Sequence, residues 1–246
     1  MEEFKRVLIL GANSDIAKNI AYQLSKKNYK LTLISRNIEN TKSFLDSLKV
    51  NIDEIEFICM DLSETHNFQN YYESLENKHD IIISAIGELS SNSKNQKISL
   101  IDQMINSNYV YPAKCLEIIT DVFLKEKTFK EKIILGISSV AGYRGRAVNF
   151  HYGAAKSAFT VFLSGLRQKL SKSKITVITI SLGFVDTKMT KDLKISSLLN
   201  TKPEKIAKKI IKCIEKKKLI YVPLRWKIIM NIIKLIPEFI FKKLHF

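Results

Sequence analysis

Arg6-Val7-Leu8-Ile9-Leu10-Gly11-Ala12-Asn13-Ser14-Asp15-Ile16-Ala17 decides how the rest of the chain is read. Val7 to Leu10 are apolar without alternation, the mark of a strand buried on both faces. Gly11 ends the run where a tight turn needs a residue without a side chain. Ser14 and Asp15 are helix-capping types, and a helical pattern follows over residues 15–26. A buried strand, a glycine turn and a helix in immediate succession open a βαβ unit.

Working outward, the same alternation repeats. Further short apolar runs read as strands at 31–34, 55–60, 81–85, 132–137, 175–180 and 219–222. Amphipathic stretches between them read as helices at 38–48, 68–75, 109–124, 152–170 and 203–215, the last with Pro203 at its first turn. Residues 183–202 have no strong period. Strands at this spacing, joined by helix-length crossovers, specify an α/β fold: a parallel sheet of about seven strands with helices on both faces. Residues 1–224 read as one domain without a linker or repeat, and 225–246 as a helical extension.

Composition narrows the field. Of 246 residues, 46% are hydrophobic and 26% charged, enough for a large core and ordinary for a globular chain. The 40 Lys+Arg against 24 Asp+Glu give +16, which would suit nucleic acid or an anionic surface. The lysines are spread out, however, and no arginine-rich or aromatic-basic module occurs. The charge is therefore read as solvated surface, with no nucleic-acid partner. Cys59, Cys115 and Cys213 are odd in number and far apart, which suits neither a disulfide framework nor a metal. His66, His79, His151 and His245 do not cluster, so no metal is expected. The start, Met1-Glu2-Glu3, is not a signal peptide, and no run reaches the ~18 apolar residues of a membrane span. These features point to a reducing cytoplasm.

In doubly wound sheets the ligand lies beyond the carboxyl ends of the strands. The turn after Gly11 offers free helix amides to a pyrophosphate. It carries one of the three glycines of the full dinucleotide fingerprint, and Asp15 sets a carboxylate near the phosphate position. The plain alternative is an ordinary turn capped by Ser14 or Asp15. The second strand ends in Ser35-Arg36-Asn37. A carboxylate here would favour a ribose 2′-hydroxyl; neutral Ser35 and cationic Arg36 favour a 2′-phosphate, unless Arg36 is merely solvated. In Tyr152-Gly153-Ala154-Ala155-Lys156, tyrosine and lysine four apart share a helix face. An ammonium beside a phenol lowers its pKa from ~10, which makes a proton donor for a ketone. Ser139 lies at the end of the fifth strand.

The stretch Ile137-Ser138-Ser139-Val140-Ala141-Gly142 leading to Tyr152 and Lys156 resembles the short-chain dehydrogenase/reductase family, and the likeness runs over essentially the whole chain. The resemblance implies a Rossmann-type fold, an NAD(P) cofactor and reduction of a ketone to a secondary alcohol by hydride transfer; with Arg36, NADPH is expected over NADH. It implies that Ser139 polarises the carbonyl and that Ser138 supports the turn. Tyr152 is the expected general acid/base, while Lys156 lowers its pKa and holds ribose hydroxyls. Asn108 supports a water relay, with Asn106 as the competing choice. Gly11, Asn13, Ser14, Ile16, Ser35, Arg36, Asp61, Leu62, Ala85, Gly87, Val185 and Thr187 are the expected cofactor contacts, together with Tyr152 and Lys156. Ser84-Ala85-Ile86-Gly87 departs from the family's Asn-Asn-Ala-Gly, and Leu182 replaces its Pro before Gly183.

A narrower likeness, in residues 11–17, 138–146, 162–167, 183–190 and 221–223, is to the branch that reduces a 2-keto pentose on decaprenyl phosphate. Arg144 and Arg146, between Ser139 and Tyr152, would suit its phosphodiester, or else a solvated loop or a subunit contact. In the tail, Trp226, Ile229, Met230 and Ile233 form an apolar helix face, widened by Ile228, Ile232 and Leu235 and flanked by Arg225, Lys227, Lys234, Lys242 and Lys243. Such a helix lies in a membrane interface, at the inner face of the membrane, or packs on protein. The rival readings are a soluble 3-oxoacyl or other ketone reductase and a cofactor-binding scaffold without catalysis. Phe159, Phe162, Leu163 and Leu166 are the expected surface of a homodimer or homotetramer.

Overall fold

The structure, a computed structural model, describes residues 4–27, 29–89, 98–126, 130–191 and 199–244. His245 and part of the 183–202 loop lie outside them. Seven strands form one parallel sheet: β1 (Lys5–Leu10), β2 (Tyr29–Ser35), β3 (Ile55–Cys59), β4 (Ile81–Ser84), β5 (Lys132–Ser139), β6 (Ile175–Leu182) and β7 (Ile220–Tyr221). Their order is β3-β2-β1-β4-β5-β6-β7, with every neighbouring pair parallel. The sheet therefore grows in opposite directions from β1 and β4. Between those two strands the outgoing loops diverge and leave a crevice.

The helices are α1 (Asp15–Ser25), α2 (Glu39–Ser47), α3 (Thr65–Ser74), α4 (Ser99–Ile105), α5 (Tyr111–Lys125), α6 (Phe150–Lys169), α7 (Pro203–Glu215), α8 (Leu224–Leu235) and α9 (Glu238–Phe241). Side chains alternate across β1. Val7 and Ile9 face a core closed by α1, α2 and α7; Leu8 and Leu10 face one closed by α3, α5 and α6. Both faces are buried, so these strands are apolar runs and not alternating ones. In α7, Ile206, Ile210 and Ile214 recur every four residues and are buried against the first core. Burial of each such side chain contributes about 1.5–3 kcal/mol.

α4 and α5 are joined by a π-helical turn over Asn106–Val110. The sequence predicts a helix only from residue 109. The ten residues before it lack a strong period, and the turn breaks the 3.6-residue rhythm that would have carried the reading back to Ser99. The tail is helical over α8 and α9 and bends at Pro237, which precedes α9.

A polar network closes the amino-terminal edge of the sheet. The Asp80 carboxylate accepts from the Arg6 backbone N–H (2.9 Å) and from Lys132 Nζ (3.1 Å), which also donates to the His79 carbonyl (2.9 Å). Thr32 Oγ1 donates its one proton to Glu56 (2.7 Å), so His79 Nε2, 2.9 Å away, must be the donor to Thr32. Burial, and then the nearby Arg6, lower the His79 pKa to about 4, so at neutral pH it is uncharged with a bare, buried Nδ1.

The expected oligomer surface is corrected. Phe159, Leu163 and Leu166 belong to the chain's own core, and Phe162 is partly buried against it. They recur on the α6 face that meets the sheet.

Candidate active site

Two connected spaces lie at the carboxyl ends of the strands. The larger, about 710 Å³, runs over the β1–β4 crevice and is walled by the loops after β1, β2, β3 and β4. The smaller, about 110 Å³, lies over β5 and α6, and shares Ser14, Ile16, Ala85, Gly87 and Thr187 with the first.

Gly11 shapes the large cleft. It has φ +78°, the left-handed region that glycine tolerates, and a Cβ there would meet the Ala85–Ile86 backbone at 3.0 Å. Its N–H and that of Ala12 both donate to the Ile34 carbonyl (3.0 Å each), tying the turn to β2. Ser14 caps α1 by accepting from the Ala17 N–H (3.2 Å). Ala17 itself is fully buried, which leaves a methyl group where the family's third glycine would stand. The Asn13 side-chain oxygen, Oδ1, is buried without a described partner beside the cleft.

Asp15 lines the cleft but is not free there. Its carboxylate accepts the Lys188 backbone N–H (2.8 Å). It therefore holds the start of the helical turn Lys188–Thr190, which Thr187 and Thr190 also cap reciprocally. At the other end of the cleft, Ser35 is buried and donates to the Asn37 carbonyl (3.0 Å), while Arg36 stands exposed on the rim. Asp61 and Leu62 line the same end. The Asp61 carboxyl is held below its usual pKa by hydrogen bonds from Ser63, and Arg36 adds to the effect.

This geometry fits a dinucleotide. Gly11 leaves the helix amides approachable, an orphaned Asn13 oxygen awaits a donor, and Arg36 offers a cation with no carboxylate at the tip of β2. Gly87 completes the passage between the two spaces. A Cβ there would lie 2.8 Å from both Asn108 Oδ1 and Lys156 Nζ, so the two side-chain ends flank one small volume.

In the smaller space the structure brings together all four residues singled out for chemistry. Ser139 ends β5; its Oγ accepts from the Ala141 N–H (3.1 Å) and donates to the Leu182 carbonyl (3.2 Å). Ser138 points the other way, donating to the Lys156 carbonyl (3.1 Å) and meeting Thr160 Oγ1 (2.7 Å), so it ties β5 to α6. Tyr152 and Lys156 lie one turn apart on α6 and line the cavity. Asn108, fully buried in the π-helical turn, donates to the carbonyls of Glu88 (2.8 Å) and Met104 (3.0 Å) and accepts from the Glu88 N–H (3.1 Å). Asn106 faces the large cleft instead, which separates the two candidates. Val185 and Thr187 also line the smaller space.

The electrostatics differ from the expected pairing. Lys156 is 4% exposed, and burial lowers its pKa to about 8. Its Nζ makes a long 3.4 Å bond to the Ile137 carbonyl and sits 5.8 Å from the Tyr152 ring centre. The Tyr152 phenol is pushed up to about 12 by burial; the Ser139 hydroxyl and then the Arg146 guanidinium pull the other way. Burial outweighs the helix-spacing argument, and the cation that lowers the phenol here is Arg146.

The two loop arginines have different places. Arg144 donates to the carbonyls of Ile233 and Ile236 (2.6 Å to the second), pairs with Glu238 (2.9 Å) and stacks 3.7 Å from the Phe241 ring centre. It is thereby bound to the tail and not available to a phosphodiester. Arg146 lines the smaller cavity. The tail itself is a wall of that cavity, which composition did not signal. Trp226 and Met230 are buried against Val140, with Phe184, Tyr143 and Ile233 around them. A Cβ on Gly183 would run into the Trp226 indole, whose ring meets Phe184 edge-on at 5.4 Å. Trp226, Met230 and Ile233 therefore face the protein, and Leu224, Ile228, Ile232 and Leu235 face outward.

The family model for short chain dehydrogenase matches residues 5–197. A 3-oxoacyl-[acyl-carrier-protein] reductase of Buchnera aphidicola is 30% identical over 203 residues, 78% of each chain. A human protein of that name is 26% identical over 196 residues, 76% of this chain and 78% of its own. Among solved structures, a short-chain dehydrogenase from Sphingobium yanoikuyae in complex with NADPH superposes with a TM-score of 0.78 at 20% identity, over 96% of this chain and 97% of that one. With the family match spanning most of the sequence, the chain belongs to the short-chain dehydrogenase family of oxidoreductases.

Proposed function

We propose that this protein is an NADPH-dependent reductase that converts a ketone to a secondary alcohol. The observation that carries the reading is the convergence of Ser139, Tyr152, Lys156 and Asn108 on one cavity that opens into the Gly11–Arg36 cleft. Bound in the cleft, NADPH would supply the hydride for the carbonyl carbon. Arg36 would hold its 2′-phosphate, and the start of α1 its pyrophosphate. Ser139 donates a hydrogen bond to the carbonyl oxygen, exchanging its present bond to Leu182. Tyr152, protonated at neutral pH, donates its phenolic proton to the oxygen as charge develops there. Lys156 holds the ribose side and returns a proton to Tyr152, and Asn108, across the Gly87 gap, supports the water through which solvent replaces it.

The test is thermal unfolding of the full chain with NADPH, NADH or neither. A ligand at ~100 times its dissociation constant that binds only the folded state adds about 2.7 kcal/mol. NADPH raises the midpoint more than NADH, and Arg36→Ala removes the difference. Tyr152→Phe keeps the NADPH shift and loses turnover; an active Tyr152→Phe enzyme refutes the mechanism.

Two substrate readings are open to experiment. The names of the relatives favour a 3-oxoacyl chain. The tail favours the second, a polyprenyl-phosphate-linked keto sugar reached at a membrane surface. Its outer face is apolar and uncovered, with Leu235 82% and Phe239 67% exposed, and Lys227, Lys242 and Lys243 stand beside it. Among the described residues no helix is long and apolar enough to cross a membrane, so the contact would be peripheral. Flotation with anionic vesicles, lost on Ile228→Gln/Ile232→Gln, supports the lipid-linked reading. A wild-type chain that stays at the bottom of the gradient removes it.

A further inference from the structure

Arg144 and Arg146 are two residues apart, and among the described residues only Arg144 has a carboxylate partner. Arg144 is held by the tail carbonyls and Glu238. Arg146 forms no ion pair with a described carboxylate, and its Nε is buried with no hydrogen-bond partner. It lines the same small cavity as Ser139, Asn149 and Tyr152. A guanidinium nitrogen withdrawn from water with no described group to accept from it has lost hydration without compensation. Asn149, next along this wall, opens α6, and its side chain makes no capping bond. The first N–H groups of a 20-residue helix therefore begin beside the arginine without a side-chain cap. The wall also includes the apolar Leu89, Phe184, Met189 and Trp226 and a second cation, Lys156, which the ketone-reductase reading gives to the cofactor ribose; the corner of Arg146 and Asn149 is the cationic one without such a role.

We infer that this corner is an oxyanion subsite: Arg146, beside the start of α6, holds a carboxylate or phosphate of the substrate, so that the same molecule's ketone lies at Ser139 and Tyr152. The inference rests on the ketone-reductase reading and narrows it to anionic ketones. Planar guanidinium donors match both oxyanions in a two-pronged contact. Burial also lowers the pKa of Arg146, as expected for a cation awaiting a counter-charge, and an arriving oxyanion would offset that cost.

The experiment uses the full chain saturated with NADP+ and matched probes. These are glycerone phosphate against glycerone, and 3-oxobutanoate against its methyl ester. Trp226 is the only tryptophan and stands in the wall of this cavity, so its fluorescence reports occupancy directly. The thermal upshift on adding NADP+ is read separately; its absence counts against the reductase reading, and the probe titration is still read. At least one anionic probe is expected to bind about ten-fold or more tightly than its neutral twin, the worth of one charge-assisted contact. Arg146→Gln removes that advantage while leaving the neutral twin and the NADP+ upshift unchanged, and Arg146→Lys restores part of it. Which twin pair shows the larger ratio identifies the oxyanion as phosphate or carboxylate. Equal binding within both pairs, no response to either anion, or an Arg146→Gln variant that weakens both members of a pair alike overturns the inference.

Discussion

Lys156 makes the fold less stable than it would be without it, and the size of that penalty is measurable without a substrate. Its ammonium is almost wholly buried and has one long hydrogen bond, and its pKa falls from the usual 10.5 to about 8. At about 1.4 kcal/mol per pH unit this is about 3 kcal/mol. The sign follows from proton counting. Between pH 8 and 10.5 the unfolded lysine holds a proton that the folded one has released, so stability rises with pH across that window. Below pH 8 both states are protonated and the whole penalty is present. Lys156→Met keeps the length of the side chain and removes the charge. At pH 7 it is expected to be more stable than the wild type by about 2–3 kcal/mol, with the gap closing as pH approaches 10.5. Urea denaturation of both chains at pH 7, 8.5 and 10 gives the difference directly, and other titrating groups cancel in the subtraction. A variant that is less stable at pH 7, or a difference that does not change with pH, would show that Lys156 is already compensated in the empty site. The same variant should lose turnover, which would place stability and activity in opposition at one residue.

Three further outcomes are expected. His79 is buried and neutral with its pKa lowered to about 4, chiefly by burial and then by Arg6, so the unfolded state takes up a proton below pH 6.5 that the fold refuses. Stability should fall by about 2 kcal/mol from pH 6.5 to 5, and His79→Gln should flatten that slope in denaturation curves. Arg144→Ala frees the carbonyls that end α8 and should cost about 1.5–3 kcal/mol, read as a red shift of Trp226 emission and faster proteolysis near Pro237; an unchanged cleavage pattern counts against the latch. Gly87→Ala puts a methyl between Asn108 and Lys156 and should reduce turnover at least tenfold while the fold stays intact by circular dichroism.

The strands were legible because burial on both faces writes continuous Ile, Leu and Val runs, and β1, β4 and β5 lie within a residue or two of their predicted bounds. Tyr152 and Lys156 were singled out by their helix spacing and Ser139 by its resemblance to the family motif, and the structure gathers all three on one cavity. Three things were not legible. α4 begins in a polar stretch and its period is broken by the π-helical turn. The bond from the Lys188 amide to Asp15 spans 173 residues, which no local pattern reveals. The tail showed its amphipathic pattern but not which side would turn inward. That choice depends on Gly183 leaving room for the Trp226 indole.

The π-helical turn at Asn106–Val110 also bears on how this chain tolerates deletions. Such a turn holds one residue more than a regular helix would, and each residue of a helix sweeps about 100°. Deleting one residue there would let α4 and α5 fuse into an uninterrupted, intrinsically easier helix. The flanking residues would keep their phase, because the wide turn already absorbs the extra residue by turning less per residue, so Met104, Leu116 and Ile119 would stay buried. The loss would fall on the turn itself, where Asn108 holds Glu88 beside the Gly87 gap. The extra residue thus serves the cavity and not the core: a shortened chain is expected to fold and to lose the site.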